Sequence, residues 1–94
     1  MEQVMTFDEL SVRASDVTGQ RSEHVGAPRE STVGEWVDGL ISKLGLRRKD
    51  SDGNPYVYRP RLEREGRHLN AGEIIGEVLQ EHDHVVLHPN VNAG

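Results

Sequence analysis

Three histidines close together, His82, His84 and His88, are the residues whose type and spacing come nearest to a metal site. Neutral imidazoles bind zinc or nickel, but no Cys or convergent carboxylate accompanies these, and strand alternation would turn Asp83 to the opposite face. Solvated histidines and no bound metal are therefore expected. A period of two instead puts His84 and His88 on one strand face with Val86 between them, a patch suited to a partner protein. Two acidic pairs, Glu63 with Glu65 and Glu77 with Glu81, have the residue types of a general acid and base. No pocket-forming sequence surrounds Glu77 and Glu81, and solvent-facing carboxylates are expected at all four positions. Neither a nucleophile elbow, a phosphate loop, a dinucleotide fingerprint nor a Cys/His dyad is present, so no catalytic residue and no enzyme activity are expected. Arg47, Arg48 and Lys49 form a basic run too short to outweigh the surrounding acids, and they read as a solvated loop.

The elements that must position these residues are few. The chain has 94 residues, 34% of them hydrophobic and 29% charged, with a net charge of -5 and no cysteine. Such a length bounds one small domain, without a disulfide or a thiolate metal site to supplement its core. Sixteen acidic residues against 11 basic ones would repel phosphate backbones and anionic lipid, so neither nucleic acid nor a membrane is an expected partner, and a cytoplasmic location is.

Leu10, Val12 and Ala14 alternate with polar neighbours and predict a strand over residues 7–14, followed by a turn at Gly19 and a return strand over 21–27 that stops before Pro28. Thr32 and Glu35 have capping-box spacing, and the stripe Val33, Trp36, Val37, Leu40, Ile41 and Leu44 has helical period, so a helix should start there with Trp36 on its buried face. Gly34 and Gly39 weaken that helix, and Gly45 should end it. Residues 47–55 read as an exposed loop. Residues 56–64 read as a strand with Pro60 at an edge or bulge, and 67–69 as a short strand after the Glu65–Gly66 turn. Asn70 to Glu73 have the residue types to cap a brief helical turn carrying Ile74 and Ile75. The last strand is expected over 84–88, ended by Pro89, which lacks an amide donor. A hairpin, one helix and three short strands suit an α+β fold in which a mixed sheet of four to five strands packs on one main helix.

This order, with Thr32-Val33-Gly34-Glu35-Trp36-Val37 opening the helix, Leu62 to Leu69 as strand-turn-strand and Glu81 to Leu87 closing, resembles the ubiquitin-like β-grasp family over residues 7–94. The resemblance implies a ubiquitin-like domain over residues 1–88, with 1–5 a flexible N-terminus, and a flexible tail over 89–94 made of Pro89, Asn90, Val91, Asn92, Ala93 and Gly94. It implies a modifier of the bacterial type that binds no cofactor. A partner E1-like activating enzyme would consume ATP to adenylate the Gly94 carboxylate. An E2-like conjugating enzyme would pass it to target proteins as an isopeptide bond, and a deconjugating protease would reverse the link. A terminal glycine has no Cβ, so its carboxylate enters a narrow site and lies open to attack. The departure is Ala93, where many relatives carry a second glycine.

The same resemblance admits a non-conjugated adaptor of a bacterial secretion system, and a sulfur carrier with a C-terminal thiocarboxylate. Glu63 stands where ubiquitin's apolar recognition patch requires an aliphatic residue, so generic ubiquitin receptors are not expected to bind. Lys43 and Lys49 are the internal amines available for chain building, and Arg67 follows the Glu65–Gly66 turn where a nucleophilic lysine would be needed.

Overall fold

A computed structural model describes residues 9–91. Phe7, Asn92, Ala93 and Gly94 lie outside the described residues. The elements are β1 (Glu9–Asp16), β2 (Ser22–Pro28), α1 (Val33–Leu44), β3 (Tyr56–Leu62), β4 (Arg67–His68), α2 (Ile75–Val78) and β5 (His84–Val91). They form a five-stranded mixed sheet in the order β2-β1-β5-β3-β4. β5 sits at its centre, parallel to β1 and antiparallel to β3.

The helix begins where its capping chemistry places it. The Glu35 amide donates to Thr32 Oγ1 and the Thr32 amide to Glu35 Oε1, each at 3.2 Å, so two orphan donors are satisfied reciprocally. Gly45 closes it at φ 68°, in the left-handed region that favours glycine. The stripe from Val33 to Leu44 is buried against Leu10, Val12 and Ala14 of β1, Val25 and Ala27 of β2, Leu62 of β3 and Val85 and Leu87 of β5. Helix and sheet thus share one core, to which Leu69, Ile75 of α2 and Leu79 add.

The brief helix differs from expectation in its start. α2 has no side-chain cap. Instead, Glu73 accepts the Asn70 amide at 2.7 Å, and the segment is tied by its backbone to the entry of α1. Val33 donates to the Glu73 carbonyl, Gly34 to that of Ala71, and Ile75 to that of Ser31. Gly34 permits this approach, since a Cβ there would lie 3.2 Å from the Ala71 methyl. A Cβ on Gly39 would meet nothing within 4 Å.

Pro60 sits inside β3 without breaking it. Its carbonyl accepts the Leu69 amide, so the donor it lacks would point to the same flank, where β4 pairs only with Arg61 and Leu62. No helix among the described residues is long and apolar enough to cross a membrane.

Candidate functional site

β5 positions the histidine patch. Val85 and Leu87 point into the core and are fully buried, so His84, Val86 and His88 alternate onto the outer face, away from α1. The antiparallel register sets His88 opposite Arg59, Val86 opposite Arg61 and, one step beyond the strand ends, His84 beside Glu63, whose amide donates to the His84 carbonyl at 3.0 Å. His84 Nε2 shares a 2.8 Å hydrogen bond with Ser15 Oγ on β1. His88 packs edge-to-face on His68 of β4, ring centroids 5.5 Å apart. His82 lies before the strand at φ 69°, its amide donating to the Ser11 carbonyl. His82 and His84 thus engage β1 and His88 engages β4, and no three His, Cys, Asp or Glu side chains converge among the described residues. Burial first, then the neighbouring Arg59, His88 and Arg61, hold the His68 imidazole below its ordinary range.

The C-terminal strand departs from the expected tail. Backbone direction alternates along β5: the His84 carbonyl faces β3, where it accepts from Glu63, and the Asp83 carbonyl faces β1, where it accepts from Arg13. Continuing that alternation, Pro89 faces the β1 side. β1 ends at Asp16 opposite Leu87, so the amide that Pro89 lacks would have met an open flank. The strand therefore does not stop at Pro89. It pairs on with β3 as Tyr58 to Pro89, Val57 to Asn90 and Tyr56 to Val91. Pro89, Asn90 and Val91, expected in a flexible tail, thus belong to the sheet.

No protein-family model and no curated protein sequence matches this chain. Solved structures do. A ubiquitin from Caldiarchaeum subterraneum is 16% identical with a TM-score of 0.66, over 92% of this chain and 99% of that one. SAMP1 from Haloferax volcanii is 23% identical with a TM-score of 0.54, over 89% and 99%. The EccD5 ubiquitin-like domain from Mycobacterium xenopi is 12% identical with a TM-score of 0.57, over 92% and 97%. The fold is the ubiquitin-like β-grasp.

Within this β-grasp the first acidic pair, Glu63 and Glu65, is tied to arginines. Glu63 pairs with Arg61 at 3.2 Å, and Glu65 bridges Arg64 at 3.2 Å and Arg67 at 2.8 Å. The hydrogen bond from Arg67 leads the effects that hold Glu65 below the usual carboxylate range, the opposite of what a general acid at neutral pH requires. Glu77 and Glu81 are exposed. Arg47, Arg48 and Lys49 are exposed too, and Arg48 binds Asp38 at 3.2 Å and Ser42 Oγ at 2.8 Å across the end of α1.

Two features escaped sequence reasoning. Asp83, expected only to point away from the face of His82 and His84, is 6% exposed just ahead of β5. It accepts a two-pronged contact from Arg64 (2.9 and 3.1 Å) and the Gln80 amide at 2.8 Å, locking the turn that launches the strand. The signal was an acid immediately before an apolar strand, with arginines upstream that only the fold could assign. The second feature is Trp36. Its Nε1–H donates to the Gly26 carbonyl at 3.0 Å, on the flank of β2 that no strand covers, so the core aromatic also blunts a sheet edge.

Proposed function

We propose that this β-grasp chain is a protein modifier whose Gly94 carboxylate is activated by an E1-like adenylating enzyme and conjugated to target proteins. The carboxylate would attack the α-phosphorus of ATP, expelling pyrophosphate. A cysteine thiolate of the enzyme would then displace AMP to form a thioester, and a target amine would displace the thiol to form the amide. The observation that carries this reading is the path of β5. The central strand runs to Val91 opposite Tyr56, the first residue of β3, while β1 has already ended, so neither neighbouring strand extends past that point. Three further residues at about 3.3 to 3.6 Å each give a reach of about 10 Å. An activating enzyme must accordingly admit the end of the sheet around Tyr56 as well as the terminal residues. Lys43 and Lys49 are both exposed, at the end of α1 and in the loop after it, and are the acceptors for any self-conjugation.

The pairing of Pro89, Asn90 and Val91 into the sheet favours a second reading, a non-conjugated adaptor that uses only its surface. Intact-mass spectrometry of the full chain, incubated with ATP and a cognate E1-like enzyme, separates the readings. A covalent adduct that Gly94 deletion abolishes while leaving the fold intact supports the modifier. An unchanged mass supports the adaptor, and exchange of one oxygen for sulfur supports a sulfur carrier, against which Ala93 counts.

A further inference from the structure

We propose that the outer face of the sheet, centred on Arg59 and Arg61 opposite His88 and Val86, docks an extended acidic segment of a partner protein. The proposal stands whether the chain is conjugated or acts as an adaptor.

The first ground is how the chain distributes its cations. Sixteen acidic residues face 11 basic ones, and among the described residues carboxylates hold four of the arginines, Arg61 among them. Arg48 is held by Asp38, Arg64 by Asp83 and Glu65, and Arg67 by Glu65 and Glu73. Arg59 is exposed at the middle of β3 and, among the described residues, enters no ion pair. Arg13, on the same face of β1, enters none either. Strand alternation directs two acids to this face. Glu63 is already committed to Arg61, and Glu9 lies over Gly26 at the far β2 edge, where its carboxylate would meet any added Cβ. Glu81 is held on the β1 side of the face as well, by the Ser11 amide two residues from Glu9. On the β3–β5 part of this face, among the described residues, Arg59 and Arg61 meet Glu63 alone, so a net-negative protein presents a local surplus of positive charge there, which selects an anionic partner.

The second ground is the apolar component. Val57 is 46% exposed, and Val86 is half-buried on the same face, flanking the arginines along and across the strands. Side chains at every second position of an extended peptide share one face, so a segment with acidic and aliphatic residues at those positions can set carboxylates on Arg59 and Arg61 and aliphatic groups on Val57 and Val86. A nucleic acid fits less well. Bases are gripped by stacking, and Tyr56 and Tyr58 share the opposite face of β3 with the buried Leu62. A polyanion longer than the face would also meet the acidic remainder of the molecule.

The test uses the full chain, isotope-labelled, titrated in low salt with a Glu–Val decapeptide in which Glu and Val take turns at every second position and Ser fills the positions between. Expected are amide shifts confined to β3, β4 and β5 and an affinity that falls with added salt. Arg59→Gln should weaken binding several-fold and Arg59→Glu about tenfold or more, with the urea midpoint of both variants unchanged. No binding at millimolar peptide, or binding indifferent to Arg59→Glu, overturns the proposal. A ten-residue oligothymidylate that binds the same residues as tightly replaces the peptide with nucleic acid and overturns it as well. Sedimentation showing self-association of the wild type that Arg59→Glu abolishes assigns the face to a second copy of the chain, with the same consequence.

Discussion

Replacing Asp83 probes the joint on which β5 depends. The carboxylate is 6% exposed and receives the Arg64 guanidinium at 2.9 and 3.1 Å and the Gln80 amide at 2.8 Å. Removing one partner of a fully buried ion pair costs about 3 to 5 kcal/mol, because the other charge is stranded. Here Arg64 is not stranded: its side chain is 35% exposed and keeps Glu65 at 3.2 Å. The loss should therefore fall to the scale of charge-assisted hydrogen bonds. Asp83→Ala, which also leaves the Gln80 amide without its acceptor, is expected to destabilise by about 2 to 3 kcal/mol, and Asp83→Asn, which retains an oxygen for that amide, by about 1 to 2 kcal/mol. Burial alone would raise the pKa of Asp83, but the Arg64 and Gln80 hydrogen bonds outweigh it and hold the carboxyl below its ordinary value of 3.8. A folded pKa below the unfolded one means the stabilisation is complete above pH 3.8 and fades as pH falls through the depressed folded value. Urea melts of wild type and Asp83→Asn should therefore differ by a constant amount from pH 7 down to about 5 and converge only in stronger acid. Equal midpoints at pH 7, or a gap that persists unchanged at pH 2, would refute Asp83 as the charged anchor of the strand.

Trp36→Ala should cost about 3 to 5 kcal/mol, comparable to the whole stability of so small a domain, and leave the chain largely unfolded by circular dichroism. Trp36→Phe isolates the Nε1–H bond to Gly26 together with a modest loss of packing, and a urea midpoint shift worth about 1 to 2 kcal/mol is expected. Gly39→Ala should stabilise by up to about 1 kcal/mol, because its Cβ meets open space and a helical glycine carries an entropy cost. Gly34→Ala should give no such gain, since the new methyl presses on Ala71; equal thermal shifts for the two variants would contradict this account of the helix entry.

What was legible in the sequence was local chemistry. The Thr32–Glu35 box, the stripe through Trp36 and the Gly45 stop each depend on neighbours within one or two turns, and these fixed the helix and its buried face. The alternation of Leu10, Val12 and Ala14, and that of His84, Val86 and His88, likewise appear on the faces their period assigns. The features not legible depend on which strand lies alongside. Whether proline ends a strand turns on the flank its missing amide faces, and only the early end of β1 at Asp16 leaves that flank of Pro89 open. The pairing of Asp83 with Arg64 joins residues 19 positions apart, and the contact of His88 with His68 crosses β3. No spacing rule reaches those partners.

Putting the patch and the terminal residues on one strand has a consequence for both proposals. His88 pairs with Arg59 on the outer face, and Val91, three positions further along the same strand, pairs with the first residue of β3. From His88 to Gly94 is six residues, at most about 20 Å of extended chain. An activating enzyme that must admit the end of the sheet therefore works within a peptide's length of the Arg59 face, and a segment docked there competes with it for space. If Gly94 is activated as proposed, saturating the chain with the Glu–Val decapeptide should slow ATP-dependent adduct formation by wild type. The same concentration should barely affect Arg59→Gln, whose weaker binding leaves the face mostly empty. The two rates, measured by intact mass over time, decide the matter. Equal inhibition of both proteins would place the peptide on the enzyme, and no inhibition of wild type at saturation would separate the face from the terminal chemistry.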